Sequence, residues 1–143
     1  MIRPLHSRDF DELLQIEAQA FPKSRYDRDE LYLLSLRYPD TFLVAVSDQL
    51  DGYIVFRPDG HVISMAVRPH RRRLGIGTTL VQQAIDHCRG KSLCLEVRVS
   101  NLGAQRFYLN LGFRLKARID GYYHDGEDAF VMERPAENTE GTN

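Results

Sequence analysis

The 143-residue sequence contains no tryptophan, only two cysteines and no long run of apolar residues. Because Cys88 and Cys94 stand apart, a disulfide framework and a paired-cysteine metal site are both excluded, and we expect reduced packing residues. No stretch reaches the roughly 18 apolar residues of a membrane span, and MIRPLHSRDF lacks the apolar core of a signal peptide. The formal net charge of -1 gives no bulk attraction to nucleic acid or membrane. We therefore expect a cytoplasmic protein that binds neither of these, and no metal.

The sequence does contain enough apolar material for one domain. Hydrophobic residues make up 43% of the chain, which supports a core, and charged residues make up 27%, which supports a soluble surface. We expect the domain to span residues 1–134. The polar segment PAENTEGTN, residues 135–143, has too little apolar surface to order itself and is expected to be a disordered tail. For the oligomeric state we expect a monomer or a weak homodimer.

Hydrophobic periodicity predicts a mixed α+β protein. Ser7 can cap a first helix that Pro22 ends. The predicted order is a strand at 2–4, helices at 7–21 and 29–37, the strands TFLVAVS, GYIVFR and HVISMAV, a helix from Gly75 to Gly90, the strand SLCLEVRVS, the helix NLGAQRFYLNLG, and the strands FRLKARID and DAFVMER. This order favours a mixed, mostly antiparallel sheet flanked by helices.

The stretch RPHRRRLGIGTTL, residues 68–80, is a candidate anion site between a strand and a helix. No proline lies between Arg72 and Thr78, so successive backbone N–H groups can point at one anion. Gly75 and Gly77 permit close approach, and a helix N-terminus offers unpaired N–H groups and the positive end of its dipole. The alternative is a solvated basic run before an ordinary helix.

Two common phosphate motifs are excluded by the residues of this loop. A P-loop needs a lysine before the threonine, and RRRLGIGTT has none. A dinucleotide motif needs a third glycine and an acidic residue after the next parallel strand, and neither is present at the required interval. What remains is a pyrophosphate site of another kind.

The loop resembles the signature [QR]-x-x-G-x-[GA] of the GCN5-related N-acetyltransferase (GNAT) superfamily, which RRLGIG at 72–77 matches at each fixed position. The blocks ISMAV-RP, LEVRVSNLGAQRFYLNLGF and YY..DGEDAFVM extend the resemblance to RimI-like N-terminal protein acetyltransferases over nearly all of Ile2 to Met132. The resemblance implies the GNAT fold, with acetyl-CoA bound between two splayed central strands. It also implies transfer of acetyl to the N-terminal α-amine of a protein, with a ribosomal protein as one candidate substrate.

The resemblance also implies which residues hold acetyl-CoA. The backbone of the strand before the loop would pair with the pantetheine arm, the loop would hold the pyrophosphate, and the next helix would add one contact. The residues concerned are Met65, Ala66 and Val67 on the strand, Arg72, Arg73, Leu74, Gly75, Ile76, Gly77 and Thr78 in the loop, and Asn101 at the helix. Core packing or helix capping is the alternative for each of them.

Glu96 is the candidate general base. Alternation in LCLEVRV places Leu95 and Val97 on one face of the strand and Glu96 on the other. The resemblance implies that the glutamate of the L-E-V-R block accepts the proton of the amine. The alternative is a partly exposed strand carboxylate paired with Arg98 or with an arginine of a neighbouring strand.

Tyr108 is the candidate acid for the departing thiolate. It follows Asn101 by almost two helical turns, so the two side chains share one helix face. A tyrosine is protonated at neutral pH, and this one matches the acid of the family's FYLNLGF block. The alternative is a core aromatic that packs against Ala104 and Leu111.

The segments FPKSRY and GYYHDGE are the candidate walls of a peptide groove. The residues available to line it are Phe21, Tyr26, Tyr122 and Tyr123, each of which could equally be a loop anchor. Two other functions stay open at this point. One is acetylation of lysine side chains or small amines, and the other is a non-catalytic acyl-CoA-binding module that does not need Glu96 or Tyr108.

Overall fold

A computed structural model describes residues 1–137 of the chain. Four helices and seven strands follow in the predicted order within this part. They are β1 (Ile2–Pro4), α1 (Phe10–Ala20), α2 (Arg28–Arg37), β2 (Phe42–Val46), β3 (Leu50–Phe56), β4 (Val62–Val67), α3 (Ile76–His87), β5 (Leu93–Arg98), α4 (Leu102–Asn110), β6 (Arg114–Ile119) and β7 (Ala129–Arg134). The predicted α+β class is confirmed.

The strands form two antiparallel sheets that meet at one end. The first sheet has the order β1-β2-β3-β4, and the second has the order β5-β7-β6. They touch through a parallel backbone bridge between His61 and Cys94, where the Cys94 N–H donates to the carbonyl of Gly60 at 2.9 Å. Because no ladder continues this bridge, β4 and β5 separate beyond it. A gap therefore opens between two central strands, as the resemblance implied.

Two clusters of buried side chains cover opposite faces of the sheets. One cluster joins α3 and α4 to β5 and includes Leu80, Leu95 and Tyr108. The other joins α1 and α2 to β3 and includes Leu13 and Leu31. The alternation predicted for β5 is confirmed, because Leu93, Leu95 and Val97 are buried while Cys94, Glu96 and Arg98 are half-buried. Glu96 consequently faces the side of α1 and α2.

The termini of elements differ from the prediction at three places. Ser7 does not cap α1, because it lies in a 3-10 turn (Ser7–Asp9) and the helix begins at Phe10. The Asp9 carboxylate accepts from the His6 N–H at 2.8 Å and tightens this turn. Strand β3 begins at Leu50, inside the predicted DQLDG loop.

The third difference concerns the polar tail. The N–H of Glu137 donates to the Gly90 carbonyl at 2.7 Å, so residues 135–137 pack back on the domain and do not form part of a free tail. The rest of the expected tail, 138–143, lies outside the described residues. Within 1–137, no helix is both long enough and apolar enough to cross a membrane.

Candidate active site

The edge of β4 that faces the gap carries backbone groups that are not paired with a neighbouring strand. Arg68 donates its N–H to the Asp51 carbonyl of the first sheet at 2.8 Å. Since backbone groups alternate in direction along a strand, those of Ala66 also point to β3, whereas those of Met65 and Val67 point into the gap. The Val67 carbonyl accepts from Arg72 Nε at 3.2 Å. Of the three predicted strand residues, Met65 and Val67 are the ones that offer backbone groups to a ligand there.

The glycine loop has the backbone shape of an anion cradle. Arg73 has a φ of 66° and Gly75 a φ of 80°, so two nearly adjacent residues adopt the left-handed conformation. Helix α3 begins directly after Gly75, and the Thr79 N–H, which donates to the Gly75 carbonyl at 3.0 Å, is the first to be paired within it. The N–H groups of Ile76, Gly77 and Thr78 precede it and have no partner inside the helix. Left-handed residues followed by free N–H groups form a concave anion site.

Gly77 is where the loop, β4 and α4 come together. A Cβ atom on Gly77 would lie 3.0 Å from the Phe107 ring and 3.7 Å from the Met65 methyl group. The absence of a side chain thus allows the first turn of α3 to lie against both neighbours. The glycine, predicted for close approach to a ligand, is also required for packing.

Glu96 is paired with a residue that the sequence did not indicate. Its Oε1 lies 2.9 Å from Nε2 of His61, at the bridge where β4 and β5 meet. The two residues are 35 positions apart, and only the pairing of the strands brings them together. Hydrogen bonding to Glu96 raises the pKa of His61 above its ordinary value of 6.5. A carboxylate and an imidazole in contact form a unit that can accept one proton.

Tyr108 lies on the opposite side of β5 from Glu96. It is 7% exposed and packs with Leu95 and Val97 in the α3/α4 cluster. The centroid of its ring lies 5.0 Å from that of Phe107 and 5.2 Å from that of Phe113. Burial raises the pKa of the Tyr108 phenol, so the group stays protonated. It is a core aromatic, which was the alternative that the sequence left open, and its role as an acid stays a prediction.

Asn101 caps α4, which was the alternative that the sequence left open. Its Oδ1 accepts from the Ala104 N–H at 3.0 Å. The cap fixes the start of the helix that carries Tyr108. A contact of Asn101 with a cofactor stays a prediction.

The four candidate groove residues have different neighbours. Tyr122 lies beside Glu96: burial raises the pKa of its phenol, and the Glu96 carboxylate raises it further. Tyr26 lies beside Glu17: burial and then the Glu17 carboxylate raise the pKa of its phenol, and its N–H donates to Glu17. The Tyr123 ring instead covers the guanidinium of Arg98, whose Cζ lies 4.0 Å from the ring centroid. Phe21 packs against the α1/α2 cluster. The structure therefore brings Tyr122 to the candidate base, whereas Tyr26, Phe21 and Tyr123 contact other groups.

A family model described as the acetyltransferase (GNAT) family matches residues 9–113. The chain belongs to the GNAT family of acetyltransferases. The matched range begins at the start of α1 and contains the gap, the glycine loop, Glu96 and Tyr108. The GNAT fold expected from the sequence resemblance is confirmed.

Relatives of this acetyltransferase cover nearly its whole length. An uncharacterized N-acetyltransferase of Methanocaldococcus jannaschii is 39% identical, covering 99% of this chain and 95% of the relative. An N-alpha-acetyltransferase of Sulfurisphaera tokodaii is 34% identical over 94% of this chain and 92% of the relative. A putative alanine N-acetyltransferase of ribosomal protein bS18 from Bacillus subtilis is 33% identical over 92% of both chains.

Solved structures of GNAT enzymes share the same arrangement of elements. Ard1 from Thermoplasma volcanium superimposes with a TM-score of 0.87 at 29% identity, over 96% of this chain and 98% of that one. Naa20 from Chaetomium thermophilum, in complex with a bisubstrate analogue, has a TM-score of 0.83 at 25% identity, over 95% and 86% of the two chains.

Glu96 and Tyr108 of this GNAT enzyme lie on opposite faces of β5. The Glu96–His61 pair lies on the α1/α2 side, and the Tyr108 phenol lies on the α3/α4 side. Within residues 1–137 no group of three or more His, Cys, Asp or Glu side chains is placed to hold a metal ion. The carboxylate–imidazole pair can accept a proton, and proton donation by Tyr108 stays a prediction.

Proposed function

We propose that this enzyme transfers acetyl from acetyl-CoA to the N-terminal α-amine of a protein by direct transfer. The observation that carries the proposal is the Glu96–His61 pair, which lies beside Tyr122. A proton acceptor next to an aromatic side chain suits an amine at the end of an extended peptide. Relatives described as N-alpha-acetyltransferases support the same acceptor.

The residues present fit acetyl-CoA, which supplies the acetyl group as a thioester. The free N–H groups of Ile76, Gly77 and Thr78 would hold the pyrophosphate, with Arg72 and Arg73 adding positive charge at the exposed loop. The outward backbone groups of Met65 and Val67 would hold the pantetheine arm. Leu74 and Asn101 are additional contacts at the two helix starts. The structurally related Naa20 was solved in complex with a bisubstrate analogue, which supports a ligand of this class for the fold.

Two proton movements follow from the residues. Glu96 and His61 together accept the proton that the amine loses as its nitrogen bonds to the acyl carbon. Tyr108 gives its proton to the sulfur as the carbon–sulfur bond breaks, and it regains a proton from solvent. A backbone N–H near Val67, at the edge of the gap, would stabilise the negative charge on the acyl oxygen.

The pKa of the amine that accepts the acetyl group favours an α-amine over a lysine side chain as the substrate of the Glu96–His61 pair. An α-amine has a pKa near 7.7–8.0 and is substantially neutral at physiological pH, whereas about one lysine in a thousand is neutral there. The Glu96–His61 pair, whose imidazole has a pKa above 6.5, matches the first kind of amine. Lysine would need a stronger base.

The proposal is tested with one peptide in three forms: unblocked with a free lysine, formylated at the N-terminus with a free lysine, and unblocked with the lysine acetylated. We expect formylation to remove acetylation and lysine blocking to leave its rate unchanged. Equal rates for the first two forms would favour lysine as the acceptor. Polyamines and aminoglycosides test small amines, and acetyl-CoA binding without turnover of any acceptor would indicate a binding module.

Three further expectations belong to this proposal. The protein acts in the cytoplasm, where new N-termini are exposed. It works as a monomer or a weak homodimer without nucleic acid. A ribosomal protein is one candidate substrate, supported by the relative described as acting on ribosomal protein bS18.

A further inference from the structure

The tip of the loop between β6 and β7 is held by one arginine of β5. Nη1 of Arg98 donates to Asp125 Oδ2 at 3.0 Å and to Glu127 Oε1 at 2.7 Å. The second oxygen of Glu127 accepts the Ser100 N–H at 2.9 Å. Hydrogen bonding from Ser100 and from Arg98 lowers the pKa of Glu127. Both carboxylates stay ionised at neutral pH, so the contacts persist there.

The backbone of Arg98 is held by hydrogen bonds from α4, and its guanidinium is largely buried. Gln105 of α4 donates to the carbonyls of Arg98 and Val99 at 3.1 and 2.9 Å, which holds the end of β5. The side chain is 13% exposed, and Tyr123 covers its guanidinium. Its Nη2 is buried without a hydrogen-bond partner among the described residues, and the Tyr123 ring face is the group available to it.

The contacts of Arg98 with Asp125, Glu127 and Tyr123, here called the Arg98 clamp, connect the loop to the candidate base. Glu96 and Arg98 are two positions apart on one face of β5. Tyr123, which covers Arg98, contacts Tyr122 edge to face with centroids 5.0 Å apart. Tyr122 in turn lies beside Glu96. Burial raises the pKa of the Tyr122 phenol most, and the charge of Glu96 raises it further. A single strand thus carries the proton acceptor and the anchor of the peptide wall.

Arg98 holds the tip of the β6–β7 loop, whereas a different residue holds the two ends of the loop next to the strands. Asp128 holds the base of the loop by accepting the Gly121 N–H at 2.8 Å and by pairing with Arg118. The tip residues Tyr122, His124 and Asp125 are exposed.

We propose that Arg98 is a positioning residue for the peptide: it fixes the tip of the β6–β7 loop so that Tyr122 and Glu96 hold one relative position. The proposal rests on the function proposed above. Without the clamp, the peptide wall loses its fixed distance from the base while the cofactor side of the gap is untouched. The effect belongs to peptide binding and not to acetyl-CoA binding.

Kinetics with Arg98→Met, Arg98→Lys and Asp125→Asn test the proposal. Lys116→Met is the control because Lys116 pairs with Glu133 at the end of the β6–β7 hairpin that is remote from the loop. We expect the peptide KM to rise about tenfold in the Arg98 variants and less in Asp125→Asn, with an unchanged Kd for acetyl-CoA. The exposed Asp125 variant and the charge-retaining lysine keep the test valid if Arg98→Met does not fold. An unchanged peptide KM, or an equal loss of acetyl-CoA affinity, would overturn the proposal.

A second readout needs no activity. Because the chain has no tryptophan, His124→Trp introduces one indole at the loop tip. We expect acrylamide to quench this indole more strongly after Arg98→Met than in the His124→Trp parent or after Lys116→Met. Unchanged quenching would refute the clamp. If no peptide is acetylated, the proposed function fails while the quenching result still decides whether Arg98 holds the loop.

Discussion

His61 Nε2 and Glu96 Oε1 lie 2.9 Å apart at the point where the two sheets of this acetyltransferase touch. The bridge between His61 and Cys94 sets this contact, and beyond the bridge the strands separate. The His61–Cys94 bridge therefore has two effects: it closes one end of the gap, and it holds the Glu96–His61 pair at that end. We expect the pair to determine how activity depends on pH.

The first prediction concerns that dependence. A protonated His61 cannot accept a proton, so activity should rise as pH passes upward through its pKa, which Glu96 holds above 6.5. Glu96→Gln removes the carboxylate, lowers the pKa of His61, and should shift the acidic limb of the kcat profile to lower pH while reducing its plateau. NMR titration of His61 in both proteins measures the pKa directly. An unchanged pKa would refute the coupling.

A second prediction separates charge from size at the glycine loop. Gly77→Glu and Gly77→Gln both crowd Phe107, because any Cβ there lies 3.0 Å from its ring. The carboxylate should also repel the pyrophosphate and weaken CoA binding by a further factor on the order of 10². Calorimetry compares the two variants at equal ionic strength. Equal affinities would show that the phosphates bind elsewhere.

The third prediction tests the acid. Tyr108→Phe keeps a buried ring between Phe107 and Phe113, so stability and CoA affinity should change little. Turnover should fall on the order of 10²-fold, because the proton for the thiolate is lost. Tyr32→Phe, at a tyrosine that is 52% exposed on α2, is the matched control. Full turnover in Tyr108→Phe would leave the residue with packing alone.

The fourth prediction concerns a carboxyl group under the peptide wall. Glu17 is 1% exposed, accepts the Tyr26 N–H at 3.0 Å and contacts the Tyr53 hydroxyl, which lies 2.7 Å from Ser64 Oγ. Burial raises its pKa above the ordinary 4.5. Ionisation therefore costs more in the folded state, and wild-type stability should fall as pH rises from 4.5 through the raised value.

The Gln side chain of Glu17→Gln cannot ionise. The unfolding free energy of this variant relative to that of the wild type should therefore increase between pH 4 and pH 8, by about 1.4 kcal/mol for each pH unit by which the pKa of Glu17 is raised. Denaturant unfolding at several pH values measures it. Asp40→Asn, at an exposed turn, controls for the lost charge. A difference independent of pH would contradict the raised pKa.

The sequence by itself determined the features that depend on near neighbours. Period-two alternation placed Glu96 opposite Leu95 and Val97, and helical spacing with strand-forming runs gave the order of elements. The glycines and the lack of proline in 72–78 predicted the loop before α3. These features are local because propensity, periodicity and turn chemistry act over a few residues.

Only the tertiary structure decided which distant groups meet. His61 is an ordinary strand-start residue in the sequence, and it reaches Glu96 only because β4 and β5 form a bridge between two sheets. Arg98 was noted as an alternative partner of Glu96, yet it binds Asp125 and Glu127 because the β6–β7 loop folds back over β5. Ser7 failed as a cap because Asp9 binds the His6 backbone first. Such contacts depend on strand pairing and long-range packing, which no local pattern encodes.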